Sequence, residues 1–144
     1  MRVGRWAIVL GLVAALLAPA AGEAQGSSSP IGLELNRLEP RSEGCRVWLV
    51  LRNPGAEALD PLRLDLLIFG KDGVITRRLA LDVGPLPAQK TMARIFDLAG
   101  QDCTGIGSLL LNDLLACGPA PDGAQVCLPR LDLSSHVDGV PFEK

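Results

Sequence analysis

His136 is the only histidine in the 144-residue sequence, and it directly follows Ser134 and Ser135. Such a trio invites a nucleophilic mechanism, in which an imidazole takes the proton of a serine hydroxyl. That chemistry needs the base within hydrogen-bond reach of the nucleophile and a third group to orient it. Adjacent residues in a polar C-terminal stretch do not meet the requirement, and no G-x-S-x-G elbow occurs. The carboxylates are scattered: Asp60 and Asp65 flank the start of one strand, Asp97 and Asp102 a loop. A general acid/base pair needs two environments that push the pKa values apart, and no spacing here signals one. Calcium would want a D-x-D-x-D-G run, and zinc a C-x-x-C or finger-like spacing; both are missing from the sequence. The sequence therefore predicts no catalytic, metal or cofactor residues, and the protein reads as a non-enzyme.

Two sets of residues remain. Cys45, Cys103, Cys117 and Cys127 are an even set behind a leader-like N-terminus, which reads as two disulfides in an oxidising compartment. Trp48 is the only tryptophan beyond that leader, and Arg46 and Arg52 share its side of an alternating run. An aromatic side chain flanked by arginines has the composition of a contact hot spot. The competing reading makes Trp48 part of the core, lying under the arginine stems.

The leader fixes the expected compartment. Arg2 and Arg5 precede an apolar run from Trp6 to Ala18, which Pro19 breaks; Gly22-Glu23-Ala24 then fits a cleavage site before Gln25. The run is shorter than the roughly 20 residues of a membrane span. No cysteine follows it to carry a lipid, and the arginines are not paired. Residues 1–24 are thus expected to be a signal peptide, leaving a periplasmic or secreted protein with no stable membrane anchor. Taking Arg2 and Arg5 from 14 basic residues, and Glu23 from 16 acidic ones, leaves 12 against 15. One domain of about 120 residues follows, with a mildly acidic surface. Such a surface argues against nucleic acid, which demands clustered Lys and Arg, and against anionic lipid.

The elements that hold these residues are strands. Ile31, Leu33 and Leu35 alternate with polar residues after a segment, 25–30, expected to be disordered. Glu39 to Gly44 is a turn-rich connection. Cys45, Val47, Leu49 and Leu51 form the core side of a second strand, with Arg46, Trp48, Val50 and Arg52 opposite. Asn53-Pro54-Gly55 ends it. Leu62, Leu64, Leu66 and Ile68 alternate with Arg63 and Asp65, and Asp72-Gly73 marks a hairpin into a strand carrying Arg77, Leu79, Leu81 and Val83 on one face. Pro85 and Pro87 stop that strand, and Thr91 to Leu98 supplies a fifth. Ser108–Ala116 (SLLLNDLLA) is ambiguous: Leu110 and Leu114 have helical spacing, while continuous leucine fits a buried strand equally. Its setting among short strands favours a strand. Gly118 to Gly123 is a turn, Ala124 to Leu133 a last edge strand, and residues 134–144 a polar tail. Residues 31–133 then make an all-β, immunoglobulin-like antiparallel sandwich of about six or seven strands.

If 108–116 is a strand, at about 3.3 Å per residue its ends lie beyond the ~7 Å limit for bridged Cα atoms. Cys103–Cys117 is then excluded. Of the two pairings left, Cys45–Cys103 with Cys117–Cys127 is preferred, because the second bridge closes a turn-rich loop of suitable length.

The run from Val47 to Val74 resembles the FxLYD family of small extracytoplasmic β-sandwich domains. Asn53 matches the asparagine that ends a strand in that pattern; Leu66-Leu67-Ile68-Phe69-Gly70 stands at the core motif, with Leu66 for Phe, Phe69 for Tyr and Gly70 for Asp; Gly73 follows. The likeness spans roughly a quarter of the exported protein, and the cysteine-bearing C-terminal third has no counterpart in it. The sequence as a whole also resembles secreted proteins of proteobacteria. Neither resemblance implies a catalytic residue. The expected function is a non-catalytic binding or accessory module that recognises a protein or envelope component through a sheet edge or loops. The alternative is a small secreted hydrolase or inhibitor presenting the Cys117–Cys127 loop.

Overall fold

Alternation of apolar and polar residues lays out a long N-terminal hairpin. In the computed structural model, which describes Met1 and residues 29–144, β1 (Ile31–Arg41) and β2 (Gly44–Asn53) pair antiparallel across a turn of only Ser42 and Glu43. The signal peptide expected at 1–24, and residues 25–28 of the segment expected to be disordered, lie outside the described residues. Strand β1 thus runs into the stretch read as a connection. Gly44 permits the tight return, since a Cβ there would collide with the backbone carbonyl of Leu98.

Strands β3 (Leu62–Gly70) and β4 (Ile75–Asp82) form the hairpin that Asp72-Gly73 signals. Gly73 adopts a φ of 78°, which glycine takes without steric cost, and the Asp72 side chain accepts the backbone N–H of Val74 at 3.0 Å. Strand β5 (Lys90–Ala99) crosses to the other sheet and pairs along the whole of β2. Then come β6 (Ile106–Cys117), a short helix α1 (Gly123–Cys127), β7 (Leu131–Ser135) and β8 (Phe142–Glu143). The result is an all-β sandwich of two four-stranded sheets, β5-β2-β1-β7 and β4-β3-β6-β8.

The apolar faces meet between the sheets. Ile31, Leu33, Leu35, Val47, Leu49 and Leu51 of the first sheet oppose Leu62, Leu64, Leu66, Ile68, Leu109 and Leu111 of the second, all at most 3% exposed. Burial of each contributes about 2 kcal/mol of transfer free energy, the main force holding the layers together.

Strand β6 resolves the ambiguous leucines. Its register against β3 slips three times, twice within the leucine run: Leu66 faces Leu111 but Asp65 faces Asp113, and Leu64 faces Leu114 but Arg63 faces Ala116. Each bulge inserts one residue, so the buried positions run Leu111, Leu114, Cys117 at intervals of three. A helix-like spacing comes from two bulges within this run of the strand.

Three expectations need correction. Residues 124–130 are helical, α1 followed by a 3-10 turn over Leu128–Arg130, and only Leu131 onward is strand. Residues 134–144 are no tail: β7 extends through Ser135, β8 adds to β6, and Val140 and Phe142 are buried. Nor is the sandwich wholly antiparallel, since β7 runs parallel to β1 and β8 parallel to β6, giving eight strands.

The open side, between edge strands β4 and β5, is closed by arginines from the inner faces. Arg77 donates to the carbonyl of Ala99 (2.9 Å), and Arg94 donates to those of Val83 (2.9 Å) and Pro85 (3.1 Å). Inward-facing charges of this kind make an edge a poor template for another strand.

Candidate functional site

Pairing of β2 with β5 brings together a face that neither segment shows alone. On the outer side of the first sheet, β2 presents Arg46, Trp48, Val50 and Arg52, and β5 sets Asp97, Ile95, Ala93 and Thr91 beside them in register. The centre is apolar: Trp48 lies against Ile95 and Val50 against Ala93. Ile95 is 48% exposed, unusual for a large aliphatic side chain. Trp48 is half-buried, and its indole N–H donates to Glu39 Oε2 at 3.1 Å.

Charged pairs frame the strip. Arg46 grips Asp97 with a two-pronged fork, Nε to Oδ1 at 2.7 Å and Nη2 to Oδ2 at 2.9 Å. At the other end, Arg52 Nη1 donates to Glu34 Oε2 at 2.8 Å, and Asn36 donates to Glu34 Oε1 at 2.8 Å. Glu34 is buried, so these partners offset the cost of its desolvation. The structure therefore keeps Arg46, Trp48 and Arg52 on one face, as the alternation predicts. It also engages both arginines with carboxylates from neighbouring strands. Ile95 and Glu34 were not singled out in the sequence, and Asp97 only as a residue flanking a loop, because cross-strand register decides their placement on this face. The alternation of Thr91–Leu98 was the one available signal.

His136 lies at the margin of this face. Its backbone N–H donates to Leu35 (2.8 Å), and its exposed imidazole stands 3.5 Å from Glu34 Oε1. Ser135 is turned elsewhere: its hydroxyl donates to Val140 O at 2.6 Å and accepts the N–H of Val137. The Ser–His neighbours in sequence are thus not joined as nucleophile and base. Among the described residues, no three His, Cys, Asp or Glu side chains gather to hold a metal.

The cysteines pair as Cys45–Cys103 and Cys117–Cys127, with Cα separations of 4.9 and 6.3 Å. Two disulfides point to an oxidising, extracytoplasmic setting. Among the described residues, no helix is long and apolar enough to cross a membrane.

The carboxylates on this face titrate low. Asn36, then Arg52, draws Glu34 below its ordinary 4.5 against the opposing effect of burial; the Trp48 indole does the same for Glu39. Arg46 lowers Asp97 from 3.8, and on the second sheet Arg78, helped by Asn112, lowers the buried Asp65. The folded state binds these protons less readily than the unfolded polypeptide does. The stability they confer is fully present above the unfolded values, from about pH 5 upward, and is lost as pH falls through the depressed folded ones. Thermal melts should hold a level Tm from pH 7 to about 5 and decline below it, and Asp65→Asn with Asp97→Asn should flatten the acid limb. An equally steep acid limb in the double variant would remove these two groups as its cause.

Comparison of the sequence and fold with known protein families, with curated proteins and with solved structures finds no match.

Proposed function

We propose that the protein is an extracytoplasmic binding module, exported to the periplasm or secreted, that docks a protein partner on the outer face of the first sheet around Trp48 and performs no catalysis of its own. The observation that carries this reading is the outward-facing, partly exposed strip Trp48–Val50–Ala93–Ile95 between the Arg46–Asp97 and Arg52–Glu34 pairs. An apolar centre with an aromatic anchor and a polar, internally matched rim is the anatomy of a protein contact surface. The strip belongs to a sheet face, which suits another protein surface better than an enclosed small molecule. Strand addition along β4, β5 or β6 is disfavoured, because Arg77 and Arg94 guard β4 and β5 and the bulges at Asn112 and Leu115 interrupt β6. The likeness of Val47–Val74 to FxLYD domains accords with an extracytoplasmic sandwich.

The test is quantitative capture of a partner from envelope extract by the wild-type protein and two variants. Trp48→Ala and Ile95→Ala should each reduce recovery of the same partner by about tenfold or more, while Tm stays within a few degrees of wild type. Undiminished capture by both variants would dismiss the face, and a large loss of Tm in Trp48→Ala alone would make that residue structural. Turnover in a screen of envelope substrates would overturn the non-catalytic reading.

A further inference from the structure

One pole of the sandwich carries a groove of about 610 Å³ between the loop that follows β2 and the segment closed by Cys117–Cys127. The size suits a small ligand. Pro54, Ala56, Leu59, Pro119 and Val126 give it largely apolar walls. Both walls are fixed. Asn53 holds the first through its amide, and Leu59 is bridged to Leu86 by paired backbone hydrogen bonds of 2.9 and 3.0 Å. The cystine holds the second. The groove shares no residue with the Trp48 strip, so it stands independently of the function proposed above.

Arg130 gives the groove its chemistry. Its Nη2 donates to the carbonyl of Ser29 at 3.1 Å, and its buried Nε–H has no hydrogen-bond partner among the described residues. Among the described residues, no carboxylate lies within ion-pair distance of it. Arg46 and Arg78 show how this protein satisfies such a side chain: each grips a carboxylate through Nε and Nη2 together. At Arg130 the same two-pronged edge has Nε empty, and Nη2 retains a second N–H. Glu57 and Asp122 also line the groove, but both are exposed, where solvent and salt screen their charge. Arg130, half-buried, is screened less.

We propose that this groove binds a carboxylate borne on a short apolar tail, with Arg130 gripping the carboxylate and the Pro, Ala and Val walls receiving the tail. A peptide C-terminus and a short fatty acid share this chemistry.

The experiment is an NMR titration of the disulfide-intact exported protein with hexanoate, with the tripeptide Ala-Ala-Val, and with the amide of each. Either acid should shift the Arg130 Nε–H resonance downfield and move the backbone amides of Ala56 and Val126 saturably. Each amide should bind about tenfold more weakly or not at all. Saturation by the peptide acid assigns the ligand as a peptide C-terminus; saturation by hexanoate alone assigns a fatty acid. Arg130→Met should lose the response and Arg130→Lys should keep part of it, with Tm reported for both. Equal shifts from acid and amide, or no shift by about 20 mM, would overturn the proposal, as would a folded Arg130→Met protein that still binds. The acid–amide comparison is made on the unaltered protein, so it stands even if a variant fails to fold.

Discussion

Replacing Cys45 and Cys103 together by alanine should lower stability by about 4 kcal/mol. The bridge joins residues 58 apart in sequence, and removing it releases the corresponding loop entropy to the unfolded polypeptide. Cys45 is also buried at 1% exposure, so alanine leaves a space in the core. For a domain of this size the loss corresponds to a fall in Tm of roughly 15 °C. The Cys117–Cys127 bridge spans only 10 residues, so its double replacement should cost about 3 kcal/mol. Chemical denaturation of the two double variants checks both numbers, and the reverse ranking would show that strain or unfolded-state structure outweighs loop length.

Asn53→Ala should cost about 3 kcal/mol, although it removes few atoms. The side chain is 2% exposed. Its Nδ2 donates to the carbonyls of Glu57 (2.8 Å), Pro87 (3.1 Å) and Leu86 (3.3 Å), and its Oδ1 accepts the N–H of Gly55 (3.0 Å). Alanine would leave these backbone groups without their partner, and an unmade buried bond costs more than a made one contributes. Asn53→Asp should be at least as harmful at neutral pH, because a carboxylate would face three carbonyl oxygens. That loss should be partly relieved on acidification, as protonation restores a donor. Urea midpoints of the two variants at pH 7 and pH 5 test the pair, and an Asn53→Asp protein as stable as wild type at pH 7 would show that the carbonyls find other donors.

The same residue shows what a sequence can and cannot disclose. Asn53 was legible as the end of a strand because Pro54 and Gly55 follow it, but its role as the knot between β2 and residues 86–87 depends on contacts distant in sequence. Strands with clean alternation, such as β2 and β3, were legible for the same reason that they fold: one face must leave water. Recognising 108–116 as extended excluded only Cys103–Cys117, and the turn-rich loop between Cys117 and Cys127 favoured the pairing that the structure has. Residues 134–144 misled because their polar letters hide Val140 and Phe142, which are isolated in the sequence and buried only when β7 and β8 dock. The 124–130 segment misled because a five-residue helix is too short to show a period. At the candidate site, β2 and β5 could each be read as strands, but their pairing could not. Trp48 and its arginines lie on a single strand, whereas the exposed neighbour Ile95 is supplied by register alone. Of the Arg130 groove only the Cys117–Cys127 loop stood out in the sequence, since its two walls come from separate connections.

The parallel pairing of β1 with β7 bears on how the polypeptide matures. Ile31 meets Leu131, and Leu35 meets Ser135, so the earliest strand waits for almost the last one. A polypeptide emerging from its N-terminus would form the β1–β2 hairpin early and yet keep one flank of β1 unclosed until β7 follows. Contacts of such high sequence separation slow folding, and they leave apolar strands vulnerable to proteases and to self-association in the interval. Early formation of the Cys45–Cys103 bridge, whose partners both precede β6, would tether β2 to the β5–β6 junction before that closure.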